Sequence, residues 1–156
     1  MTAVETSPAD RLRELLEEVV GACDLDADVE VEEDDETLRG VVEGGDLGLL
    51  IGRHGQTIDA LQHLAARIAY RGADDRKRVV VDAAGYRARR AETLERQADR
   101  AVGDAVEYGR PAAMDAMAAS ERRLVHEYLR DRTDVETYSE GDEPDRHLVV
   151  APVVEG

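Results

Sequence analysis

The sequence predicts an α+β chain made of two small units, and three observations carry that expectation. Over residues 10–84 the periodicities run helix, strand, strand, helix, turn, helix, strand. Over residues 85–154 a second series runs helix, helix, strand, strand. Gly85 separates the two, with no internal repeat and no low-complexity linker between them. The 156 residues suit one ordinary domain or two small ones.

Residues 1–9 are expected to be a disordered tail. Leu12, Leu15, Leu16, Val19 and Cys23 then recur at helical spacing among Glu and Arg. Residues 28–33 alternate as a strand, and 37–43 supply its hairpin partner. The acid run at 32–36 is most simply the solvated turn between them; a metal or a basic partner is the rival reading. Asp46 is positioned to cap a short helix through Leu47, Leu49, Leu50 and Ile51. Ile58, Leu61, Leu64, Ala65 and Ile68 mark a further helix ending near Gly72, and residues 79–81 read as a short buried strand. Tyr86 to about Tyr108 is a long helix that opens with Arg87, Arg89 and Arg90 and stops at Gly109-Arg110-Pro111. A last helix is expected from about Asp115 to Arg130, burying Met117, Leu124, Val125, Tyr128 and Leu129. Two short strands, near 135–139 and 147–150, close the chain.

Composition narrows the function. The chain is 42% hydrophobic but has no Phe, no Trp and five Tyr, so its core is mostly Val, Leu and Ala, and its stability should be moderate. The single Cys23 cannot form an internal disulfide and reads as a buried structural thiol in a reducing compartment. With no signal pattern and no run of about 18 apolar residues, the expected location is the cytoplasm. The formal charge of −16 weighs against a polyanionic partner, but it is unevenly spread. Residues 1–49 carry a net −13 and residues 101–156 a net −7, whereas residues 50–100 carry +4. Screening over about 8 Å at physiological salt lets that middle third act locally.

Within the basic third stands Ile51-Gly52-Arg53-His54-Gly55-Gln56-Thr57-Ile58. Two glycines let the backbone turn sharply and approach a ligand closely. A helix starting there would turn its free N–H groups toward an anion, and Arg53, His54 and Gln56 add donors. That is the logic of a G-x-x-G clamp on a single-stranded backbone, although many helix pairs are joined by such a turn with no ligand. A second segment, Glu121-Arg122-Arg123-Leu124-Val125-His126, sets Arg122 and His126 one helical turn apart, with Arg130 extending the row. A guanidinium beside an imidazole suits phosphate or a base. A solvated helix face explains the same spacing.

Arg, three residues and then His is the signature of the R-three-H domain. Together with the glycine turn it resembles the bacterial Jag, or SpoIIIJ-associated, proteins, in which a KH domain precedes an R-three-H domain. Val81-Asp82-Ala83-Ala84-Gly85-Tyr86-Arg87 is similar to that family's interdomain junction, and Thr137 through Val150 to its closing hairpin. The resemblance covers roughly residues 10–153. It implies a type II KH domain (α-β-β-α-α-β) over 10–84, followed by a small α/β R-three-H domain over 85–154. It further implies a single-stranded RNA-binding protein, with Gly52, Arg53, His54, Gly55 and Gln56 in the clamp. Arg122 and His126 would be the defining pair, with Arg123 and Arg146 as neighbours. A partner made of one KH domain, and a role as regulator or RNA chaperone in cell-envelope growth or division, are implied as well. Where relatives often carry Asn-Pro, this chain has Ala118-Ala119.

Lacking Phe and Trp, the chain offers no aromatic stacking sheet, so recognition would rest on backbone clamping and base edges. About three to five phosphate contacts would give a log–log salt slope of roughly −2 to −3.5 on a single strand. Catalysis is not expected. Ser120, Ser139, His63 and His147 are organised by no nucleophile elbow, zinc spacing or phosphate loop, and no cofactor or metal is implied. The other surviving reading is a protein-interaction adaptor with little affinity for RNA.

Overall fold

The computed structural model describes residues 4–155. The chain divides into two compact units at residues 87/88.

The first unit contains α1 (Pro8–Ala22), β1 (Ala27–Glu33), β2 (Thr37–Gly44), α2 (Gly48–Ile51), a single 3-10 turn at Arg53–Gly55, α3 (Gln56–Ala69) and β3 (Arg78–Ala83). Helix α1 begins inside the segment expected to be a tail. Ser7 and Asp10 form a reciprocal capping box and Pro8 presets the first turn, so residues 8 and 9 are helical. Residues 1–3 of that segment lie outside the described residues. The hairpin between β1 and β2 is pinned by Asp34, whose Oδ1 accepts from the N–H groups of Glu36 (2.8 Å) and Thr37 (2.7 Å). Those backbone bonds hold the Asp34 carboxyl below its usual range, which suits a solvated turn. The sheet order is β1-β2-β3, with β1 antiparallel and β3 parallel to β2.

Alternation along β2 buries Leu38, Gly40 and Val42 on one face, under Leu12 and Leu16 of α1 and Ile58 and Ala65 of α3. Gly40 permits that close approach, because a Cβ there would lie 2.5 Å from Leu16 Cδ1. Arg11 Nη1 donates to the carbonyls of Ala69 (3.3 Å) and Arg71 (3.2 Å), tying α1 to the end of α3. Cys23, at the α1 C-cap, is half-buried.

The second unit is formed by α4 (Tyr86–Tyr108), whose first two residues belong to the first unit, with β4 (Ala112–Ala116), α5 (Ala119–Leu129), β5 (Val135–Glu140) and β6 (His147–Pro152). Its sheet order is β4-β6-β5, antiparallel throughout. Two expectations are corrected here. Residues 115–116 end a strand and do not begin a helix. Ala112-Ala113-Met114 has helix-forming composition, but pairing with Val149 and Val150 of β6 and burial of Met114 override it. Tyr128 is 42% exposed and donates to Asp99 from the outer face of α5; it is not part of the core. Helix α5 starts at the N-cap Ala118, which offers no side-chain acceptor.

Candidate nucleic-acid interface

The turn between α2 and α3 requires both of its glycines. Gly52 sits at φ 73°, ψ 177°, a region open essentially to glycine, and a Cβ there would run into the Thr57 side chain. Gly55 is buried and left-handed, at φ 77° and ψ 14°. A Cβ at Gly55 would fall 2.7 Å from Tyr86 Cε1 and 2.9 Å from its hydroxyl. Gly55→Ala therefore combines left-handed strain with overpacking and should destabilise the first unit by about 2 to 4 kcal/mol, read as a lowered thermal midpoint.

Between the glycines, His54 is also left-handed (φ 54°, ψ 27°), a conformation that His tolerates better than most residues. Arg53 and His54 are exposed, and neither side chain hydrogen-bonds or ion-pairs with another described residue. The tight turn thrusts two donors outward. Behind them α3 begins with Gly55 as N-cap and no side-chain acceptor, so its first turn presents partial positive charge. Gln56 is exposed, with its N–H engaged by the Arg53 carbonyl. Asp59 lies in the same first turn, but Arg87 Nη1 pairs with it at 2.8 Å.

In the second unit the Arg–His row divides. Arg122 is only 7% exposed. Its Nη1 donates to the Met117 carbonyl at 2.6 Å and more weakly to that of Arg146 at 3.5 Å, and its Nη2 pairs with Glu143 Oε1 at 2.6 Å. The guanidinium thus fastens the start of α5 to the β5–β6 loop and does not stand free on a helix face. Arg146 belongs to the same loop, donating from Nη1 to the Gly141 carbonyl at 2.6 Å. Arg123 is exposed, with no side-chain partner among the described residues.

His126 is half-buried against β5. Its Nδ1 lies 2.6 Å from Thr137 Oγ1 and its Nε2 3.3 Å from Ser139 Oγ. Hydroxyls donate or accept as required, so both ring nitrogens are satisfied in the neutral form. Burial, and then the nearby Arg122 charge, push the imidazole pKa below its ordinary 6.5. The unfolded chain therefore takes up this proton first as pH falls. His126 contributes stability that is complete above about pH 6.5 and is lost as pH drops toward its folded-state pKa. Urea midpoints measured at pH 7.5 and 5.5 should fall on acidification, and less so in His126→Asn.

A groove of about 400 Å³ opens beside this histidine, lined by His126, Glu127, Leu129, Arg130, Val135, Glu136 and Thr137. One imidazole, one guanidinium and a hydroxyl thus share it with two carboxylates. Thr137 and Ser139 are candidate site residues, through their contacts with His126, that helix spacing alone missed. Their signal was the two-residue alternation of hydroxyls in β5, which sets both on the face toward α5. Elsewhere His147 stays with its own hairpin, contacting Glu140 at 3.7 Å.

The family model for the KH domain of KhpA/KhpB matches residues 9–82, and the model for the R-three-H domain matches residues 92–152. RNA-binding protein KhpB of Bacillus subtilis (strain 168) is 32% identical over 146 residues, covering 92% of this chain and 70% of that protein. The chain belongs to the KhpB family. KhpB of Clostridium symbiosum is 35% identical over 144 residues, 91% of this chain and 65% of its own length. KhpB of Lactiplantibacillus plantarum is 42% identical over 104 residues, 67% of this chain and 32% of its own length. The chain therefore spans between about a third and 70% of the length of these KhpB proteins. The glycine turn lies in the KH match, and Arg122, His126 and the groove beside them lie in the R-three-H match.

Proposed function

We propose that this chain binds single-stranded RNA in the cytoplasm, with the Gly52–Gly55 turn as its main grip on the backbone. The observation that carries this is the turn itself: Gly52, in a conformation essentially closed to other residues, and Gly55, left-handed and packed against Tyr86, hold Arg53 and His54 outward, without side-chain partners among the described residues, at the uncapped start of α3. Gln56 flanks the clamp. The naming of the KhpB relatives as RNA-binding proteins supports the same reading. In the R-three-H unit, taken as residues 85–154 beside a KH unit of 10–84, His126, Arg123 and Arg130 face the ligand. Arg122 and Arg146 act as positioning residues through the β5–β6 loop.

Fluorescence anisotropy with labelled single-stranded RNA, at several salt concentrations, tests this. A log–log slope of roughly −2 to −3.5 is expected. The acidic total, together with Glu127 and Glu136 in the groove beside His126, favours one second reading: an adaptor that docks a partner, such as a protein of one KH domain. Absence of binding at low salt would select it. Regulation of transcripts for envelope growth or division is the role that the family resemblance suggests, and RNA crosslinking in cells tests it.

A further inference from the structure

Cations of the KH unit also gather away from the glycine turn. A pocket of about 310 Å³ is lined by His63, Ala66, Arg67, Tyr70, Arg76 and Lys77. We propose that it is a second phosphate subsite for the RNA strand, at the far end of α3 from the glycine turn. The proposal rests on the reading of that turn as the clamp.

Helix α3 connects the two places. Asp59, Gln62, His63, Ala66, Arg67 and Tyr70 recur at three- and four-residue spacing, forming one stripe from its first turn to its C-cap. Gln62 Oε1 accepts from the Val81 N–H at 2.9 Å, so the stripe runs beside β3, an edge of the sheet. Asp59, the stripe's one carboxylate, is paired with Arg87. At 14 residues α3 is about 21 Å long, on the scale of the run of about four nucleotides that a G-x-x-G loop clamps.

The pocket's donors are mostly uncommitted. Arg67 uses Nε on His63 Nε2 at 3.3 Å, and Arg76 uses Nε on the Ala73 carbonyl at 3.5 Å. The terminal nitrogens of both arginines have no partner among the described residues. Lys77 is engaged by Glu33 at 3.0 Å and by the Asp34 carbonyl at 2.6 Å, which leaves Arg67 and Arg76 as the gripping pair. Tyr70 supplies an independent sign. It is 5% exposed, and its hydroxyl is buried without a hydrogen-bond partner among the described residues. A buried donor left this way is uncommon, and because the hydroxyl has no accessible surface a ligand oxygen completes it only as the pocket wall opens. The negative end of the α3 dipole lies here, so an anion needs more than one cation to be held.

The test uses the full chain with single-stranded RNAs of three and eight nucleotides, the shorter followed by NMR titration. Arg67→Ala/Arg76→Ala is expected to bind the eight-mer about tenfold more weakly at low salt. Its log–log salt slope should be shallower by about 0.7, the share of one phosphate on a single strand. On the three-mer, too short to reach from turn to pocket, variant and wild type should bind alike. Tyr70→Phe should keep or raise the thermal midpoint while weakening eight-mer binding about two- to fivefold, a combination that a purely structural tyrosine does not give. Wild-type affinity and slope in the double arginine variant would overturn the subsite, as would equal losses on both RNA lengths. Failure of the wild-type chain to bind any single strand would instead refute the clamp reading on which the subsite depends.

Discussion

Arg53→Asp with His54→Asp is expected to lower affinity for single-stranded RNA by about 30- to 1000-fold. A charge-assisted hydrogen bond contributes about 1.5 to 3 kcal/mol and an ordinary one about 0.5 to 1, so losing one of each, at Arg53 and His54, removes about 2 to 4 kcal/mol. Two carboxylates facing a phosphate add repulsion to that loss. The fold should survive for local reasons. Both side chains are exposed and make no hydrogen bond or ion pair with a described residue. His54 is left-handed at φ 54°, and Asp is among the few non-glycine residues that accept this conformation. The check is anisotropy beside a thermal melt. An unchanged midpoint with lost binding supports the clamp, and unchanged affinity in the folded variant removes it.

Arg122→Ala is expected to act in the opposite way, on stability before binding. Truncation leaves the Met117 carbonyl without the guanidinium at 2.6 Å, frees Glu143 and opens space in a site only 7% exposed. Loss of buried charged hydrogen bonds and of packing should cost about 2 to 4 kcal/mol. For a unit of this size that lowers the midpoint by about 10 to 25 °C. Arg122→Lys should recover less than half, since one ammonium cannot reproduce a planar fork that meets a carbonyl and a carboxylate together. The deciding measurement is RNA affinity at a temperature where the variant remains folded. Affinity within about twofold of wild type marks Arg122 as a positioning residue, whereas a tenfold loss there would make it a direct contact. His126→Ala is the complementary variant, because its ring borders the open groove.

The two variants part because similar sequence signals met different surroundings. At 52–55 local chemistry suffices: two glycines, flanking apolar residues and a basic stretch dictate a turn that aims its cations outward. The chain order α1 through β3 was legible for the same reason, since each stripe or alternation lies within one segment, as with Leu12 and Leu16 in α1 or Leu38 and Val42 in β2. Helix α4 was legible from Tyr86 to its stop at Gly109, where φ is 62°.

Arg122 was not legible in this way. Helix spacing sets it in one row with His126 and Arg130, yet whether a guanidinium stays buried depends on acceptors converging from elsewhere. Those acceptors are Met117 and, 21 and 24 residues away, Glu143 and Arg146. The neutral state of His126 likewise depends on Thr137 and Ser139 across the α5–β5 packing. Strand β4 became a strand only because β6 supplied its ladder. The pocket at His63, Arg67 and Arg76 joins a helix face to a loop that the α3 periodicity does not describe. The sequence alone therefore determined the two-unit order, the glycine turn and the outward Arg53 and His54, because those follow from backbone preference and local period. Only the tertiary structure decided which cations are buried and which stand exposed, because desolvating a charge requires partners that distant segments bring together.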